Sequence, residues 1–162
     1  MMDDTRLLRV VLTGEALTRL TPLLEADRAQ AVADLEHENS FALCDAPGVV
    51  SRAGPYVLHL SILEGRLVFD VRDVDEAPIT AMGLALGPFR GIIKDYQMLV
   101  DSHMAAAEEG RPERMEAIDM GRRGLHNEGA ALLQARLASK AQIDGETARR
   151  LFTLVCVLHS RV

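Results

Sequence analysis

Tryptophan is absent from this 162-residue chain, and four phenylalanines and two tyrosines are its only aromatic residues. A core must therefore be built from Leu, Val, Ile, Ala and Met. Lysine is scarce as well, two against sixteen arginines. Such a bias suits anion recognition, although a GC-rich genome accounts for it more simply. The two cysteines, Cys44 and Cys156, are far apart and no C-x-x-C or Cys/His spacing exists, so no metal site is expected. Nothing indicates a cofactor: P-loop and dinucleotide spacings are missing, as is the G-x-S-x-G of a serine nucleophile. The longest apolar run, Leu151 to Leu158, is too short to cross a bilayer, so no membrane partner is expected. M-M-D-D is not the start of a signal peptide, and the expected location is cytoplasmic. A net charge of −6 speaks against a nucleic-acid partner.

What is present suits one domain with a proper core over residues 1–162. Arg6 to Thr13 reads as a first strand ended by Gly14. Pro22 can open a helix running towards His37, with Leu24, Ala31, Val32 and Leu35 at helical spacing and Asn39-Ser40 as the stop. Ala46 to Pro55, rich in proline and glycine, reads as an exposed loop. Tyr56 to Arg72 is the clearest local signal. Two alternating runs flank Glu64-Gly65, a two-residue hairpin turn. That register sets Leu58, Leu60 and Ile62 opposite Val71, Phe69 and Leu67. On the other face it sets His59 opposite Asp70. Ile79 to Leu86 should add a strand after the acidic loop Asp73 to Glu76.

From Pro88 onward the period becomes helical. Phe89, Ile92, Ile93, Tyr96, Val100, His103 and Ala107 form a stripe that Gly110 ends. Pro112 starts the next helix. Asp144 is an N-cap for a last helix that is apolar nearly all round, and so either central to the fold or an interface between copies. The class is α+β: an antiparallel sheet of about four strands in the N-terminal half, one N-terminal helix, and a C-terminal bundle of about three helices.

Asp119 to Gly129, D-M-G-R-R-G-L-H-N-E-G, stands out because it places three glycines in a helical pattern, each costing about 1 kcal/mol relative to alanine. Asp119, Arg122, Arg123, His126, Asn127 and Glu128 are gathered there. In a continuous helix Arg122 shares a row with Ile118, Leu125 and Gly129 and points partly inward. It then needs a carboxylate, from Asp119 or the sheet, or a bound anion. If the glycines break the helix, a restarted turn near Leu125 or His126 would offer backbone N–H groups to a phosphate or oxyanion.

Several runs resemble uncharacterised protein family 0262, found in bacteria. They are E-N-S-F (Glu38 to Phe41), G-P-Y-V-L-H-L-S (Gly54 to Ser61), R-L-V-F-D (Arg66 to Asp70), K-D-Y (Lys94 to Tyr96), the Asp119–Gly129 block and A-R-R-L-F-T-L-V-C-V-L-H (Ala148 to His159). The chain departs from the family pattern at Gly91, where a second basic residue follows P-F-R. The resemblance covers most of the chain and implies no activity.

Function must then be sought in the residues. They favour a binding or regulatory module that forms homo-oligomers through its last helix, with a small anionic ligand as a further partner. The alternative is an enzyme acting on a phosphorylated or carboxylated small molecule. It would use His126, His59 and Asp70 as catalytic groups, and Arg122, Arg123, Asp119, Asn127 and Glu128 to bind the ligand. A His–Asp pair can orient and charge an imidazole, but it is also an ordinary cross-strand ion pair. The enzyme requires the sheet pair and the helix block to meet in one pocket.

Overall fold

The computed structural model describes residues 5–44 and 52–160. Of the loop expected over Ala46 to Pro55, residues 46–51 lie outside the described residues. In chain order the elements are β1 (Leu7–Thr13), α1 (Pro22–His37), β2 (Phe41–Leu43), β3 (Tyr56–Leu63), β4 (Arg66–Arg72), β5 (Pro78–Ala85), α2 (Arg90–Glu109), α3 (Pro112–Leu137), β6 (Ala141–Ile143) and α4 (Gly145–Leu158), with short 3-10 turns before α1 and α2. This is the α+β architecture: a sheet and an N-terminal helix packed with three further helices.

The β3–β4 hairpin has the register that side-chain alternation dictates. Leu58 faces Val71, His59 faces Asp70, Leu60 faces Phe69 and Ile62 faces Leu67. Glu64 and Gly65 turn the chain with φ of 52° and 74°, the twist that suits a two-residue hairpin. Leu58, Leu60, Leu67, Phe69 and Val71 are fully buried, each stabilising the fold by roughly 1.5–3 kcal/mol. β5 pairs antiparallel with β4. The sheet order is β1-β3-β4-β5. β1 departs from the antiparallel expectation, because it runs parallel to β3. The reason is the intervening α1: a helix between two strands of one sheet returns the chain to the end where it started. β2 and β6, three residues each, pair antiparallel in a separate small sheet.

The helices begin and end where local chemistry directs. Thr21 caps α1, its hydroxyl accepting from Leu24 N–H, and Pro22 fills the first turn. Gly110, left-handed at φ 65°, closes α2. Asp144 caps α4, accepting from Thr147 N–H at 2.8 Å. Helix α4 is the centre of the molecule. Every residue from Leu151 to Leu158 is buried, in one cluster with the apolar face of the sheet and residues of α1, α2 and α3. Nothing here supports the expected self-association through this helix, because the apolar residues Leu151 to Leu158 are covered within one chain. Cys156 is fully enclosed, and burial pushes its thiol well above the usual range.

Helix α3 runs unbroken through the Asp119–Gly129 block, so no restarted turn offers free N–H groups there. Its glycines have separate explanations. A side chain at Gly129 would collide with the Phe152 ring, so this position sets the close approach of α3 to α4. At Gly121 a Cβ would lie 3.2 Å from the mobile end of Leu99. Gly124 faces open space, and the structure gives no reason for it. Gly129→Ala is accordingly expected to destabilise the protein by about 1–3 kcal/mol through overpacking, whereas Gly124→Ala should stabilise it by up to about 1 kcal/mol. Urea unfolding of the two variants checks both signs.

Candidate ligand-binding site

The residues expected to form one site fall into two groups with the sheet between them. Leu58 and Leu60 point into the helical core, so His59, between them on β3, points to the opposite face. There His59 Nε2 lies 2.7 Å from Glu76 Oε2. Arg72 donates to Asp70 Oδ2 at 2.9 and 3.2 Å and to Glu76 at 3.1 Å, and Arg9 also pairs with Glu76. His59 and Asp70 are thus opposite in register, but the imidazole takes Glu76 and the guanidinium takes Asp70. The hydrogen bond with His59 holds the Glu76 carboxyl below its usual range, with Arg72 and Arg9 acting in the same direction. This is a solvent-facing charge ladder on a sheet.

Arg122 and His126 belong to the other side. Arg122, with 14% of its side chain exposed, reaches α1. Its Nη2 donates to both oxygens of Asp27 at 2.8 and 2.7 Å, and its Nη1 donates to Asp119 at 3.0 Å. The Tyr96 hydroxyl of α2 donates to Asp27 Oδ2 at 2.6 Å. One carboxylate of α1 therefore ties together α2 and α3. Burial lowers the affinity of Arg122 for its proton, but the facing oxygens of Tyr96 and Asp27 outweigh that, and the net direction is up. Burial, then Asp27, pushes the Tyr96 hydroxyl well above its ordinary range. Of the partners expected for Arg122, Asp119 is there, and the second carboxylate comes from helix α1 and not from the sheet.

His126 is stacked on Tyr96, ring centres 5.2 Å apart, and meets Phe152 edge-on at 6.4 Å. Burial, followed by the charge of Arg122, lowers its pKa to about 4, so the ring is neutral near pH 7. His103 lies 4.0 Å from Asp119. Arg123, Asn127 and Glu128 are exposed. Arg123 borders a different surface hollow, with Met115 and Met120, and Glu128 another, with Ile92 and Leu132. Neither joins Arg122 and His126.

A pocket of about 290 Å³ opens beside this knot, between α1 and α4. Asp27 and Asp34 of α1, Arg149 and Arg150 of α4, and His126 of α3 are in its lining. Four buried side-chain N or O atoms among the described residues have no hydrogen-bond partner within the protein. Three of them are Arg122 Nε, His126 Nε2 and Arg149 Nε. All three belong to residues that line this pocket or stand directly behind Asp27. Buried polar groups rarely go unsatisfied, and two of these three belong to residues that line the pocket. No group of three or more His, Cys, Asp or Glu among the described residues could hold a metal ion.

Sequence reasoning missed Asp27, Asp34, Arg149 and Arg150. Asp27 had a signal, since it lies on the row of Leu24, Ala31 and Leu35, which are 2%, 5% and 0% exposed. A carboxylate on an apolar row requires a cation, and Arg122 stood on the apolar row of another helix.

The fold and pocket define a small α+β protein with a polar pocket between helices, and among the described residues no helix is long and apolar enough to cross a membrane. The chain belongs to the uncharacterised protein family UPF0262, whose model matches residues 4–161. A UPF0262 protein of Granulibacter bethesdensis is 66% identical over 160 residues, covering 97% of this chain and 91% of that protein. One of Acidiphilium cryptum is 56% identical over 156 residues, covering 96% and 93%. One of Rhodospirillum rubrum is 46% identical over 159 residues, covering 98% and 95%. No solved structure matches the chain.

Two stability measurements follow. Arg122→Met leaves Asp27 enclosed without its cation and should cost about 3 kcal/mol, while the double variant with Asp27→Asn should recover part of that loss, as a double-mutant cycle in denaturant would read. The depressed His126 pKa gives a pH dependence. Its contribution is complete above the unfolded value of 6.5 and is lost as pH falls from there to about 4. The loss should be on the order of 3 kcal/mol, and His126→Phe should flatten that part of the profile.

Proposed function

We propose that the protein is a binding or regulatory module that takes a small charged molecule in the pocket between α1, α3 and α4. The observation that carries this is that His126 Nε2 and Arg149 Nε, both buried without protein partners, belong to residues lining one pocket, while Arg122, whose Nε is likewise unpartnered, pairs with the lining residue Asp27. The volume, about 290 Å³, is at the low end of the roughly 300–1,000 Å³ of small-molecule sites. It suits a molecule of few heavy atoms better than a nucleotide.

The competing enzyme would need an acid/base pair beside the anion site. Two facts favour the module over it. His59 and Asp70 are across the sheet from Arg122, which is itself engaged by Asp27 and Asp119. His126, with its pKa near 4, is far from the neutral range in which a general base works best.

Thermal-shift measurements with small carboxylates, phosphate, amino acids, nucleotides and magnesium test the proposal. A small charged compound should raise Tm with the concentration dependence of a single site. Arg149→Gln should abolish the rise, while Arg123→Gln, which faces away, should retain it. If no compound in the panel stabilises the protein, the proposal is wrong.

A further inference from the structure

The pocket walls carry opposite charges. On α1, Asp27 and Asp34 are seven residues apart and so share one face. On α4, the adjacent Arg149 and Arg150 line the opposite wall. Yet no ion pair joins either arginine to either aspartate. Arg149 reaches Glu146 of its own helix at 3.7 Å, and Arg150 reaches the same residue at 3.8 Å. Arg150 also donates to the Glu38 carbonyl at 3.1 Å. Asp27 takes Arg122 from behind, and Asp34 takes only the amide of Gln30 at 2.8 Å. Opposite charges that face each other without closing leave room for something between them.

We infer that the ligand is a small zwitterion, one molecule carrying a carboxylate and an ammonium, as an amino acid does. This rests on the pocket being the binding site. The carboxylate is held by Arg149, whose Nε is buried and has no partner in the protein. A guanidinium suits it because its fork of donors matches two carboxylate oxygens. The ammonium is held by Asp34, with Asp27 adding negative potential that Arg122 partly offsets. Neutral His126 supplies one nitrogen that accepts or donates without adding charge, and Thr153, whose hydroxyl donates to the Arg149 carbonyl at 3.1 Å, keeps its lone pairs for a ligand donor. A simple anion would meet Asp34 and Glu146 across the pocket and be repelled; a simple cation would meet the arginines. Only a molecule with both ends has a favourable partner at each wall.

The test is calorimetric titration of the full-length protein with glycine, L-alanine, L-aspartate and 4-aminobutyrate, beside acetate, phosphate and ethylammonium as single-charge probes. At least one zwitterion should bind at least tenfold more tightly than every single-charge probe. Arg149→Gln and Asp34→Asn should each weaken that zwitterion by about ten- to a hundredfold, the scale of one charge-assisted hydrogen bond. If acetate or phosphate binds as well as any zwitterion and Asp34→Asn leaves it unaffected, the inference fails while the pocket stands as an anion site. If none of the probes binds, the pocket reading fails with it. Far-UV circular dichroism of both variants separates lost binding from lost structure.

Discussion

The pairing of Arg122 with Asp27 is the constraint on which the rest of the helical half depends. Two charges approach to 2.7 Å with only 14% and 16% of their side chains exposed. Withdrawing charges from water is expensive, and only good geometry with further hydrogen bonds offsets it. Tyr96 and Asp119 supply those bonds. A carboxylate of α1 is thereby fixed against α2 and α3, while α4 fills the space between them and the sheet. Burial is the main reason that His126 stays neutral, and the nearby Arg122 guanidinium adds to it by opposing a second positive charge, against the smaller pull of Asp27. The pair also leaves one helix wall acidic beside another that is basic, with the pocket between them.

Much of the fold was legible in the sequence because local rules and burial agree there. The hairpin register follows from alternation and a Glu-Gly turn, and the helix ends follow from Pro22, Gly110, Pro112 and Asp144. The strands of three residues were not legible: Phe41–Leu43 and Ala141–Ile143 are too short to show a period, and each exists because the other is there to pair with it. The direction of β1 was also hidden, since a strand reads alike in either direction and only the crossover through α1 fixes it. For α4, sequence left the centre of the fold and an interface between copies open, and the burial of Leu151 to Leu158 chooses the centre.

The candidate site was legible in part. Arg122 was recognised as an inward arginine requiring a carboxylate, and Asp119 is one of its partners, but the closer one, Asp27, came from α1, and pairing between helices distant in sequence leaves no spacing to read. His59 and Asp70 occupy the expected register, yet Glu76 and Arg72 divide them, because a loop carboxylate with a free reach competes for the imidazole. Arg149 and Arg150 were read as part of a family block, and their role emerges only when α1 stands opposite. Of the three glycines that drew attention to α3, one is required by Phe152, one tolerates Leu99 closely, and Gly124 has no structural explanation.

These features describe a scaffold whose strongest charges are either paired internally or arranged along a pocket, with the sheet-face ladder on the far side. The most direct measurement of this account is an NMR pH titration of the five histidine rings, following each Cε1 proton. If α1, α2 and α4 close over the Arg122–Asp27 pair as described, the His126 resonance stays in its neutral form down to about pH 4. A His126 midpoint near the ordinary 6.5 would mean that the ring is open to water and unopposed by Arg122. The polar knot would then not exist in this form, and the pocket built on it would lose its support.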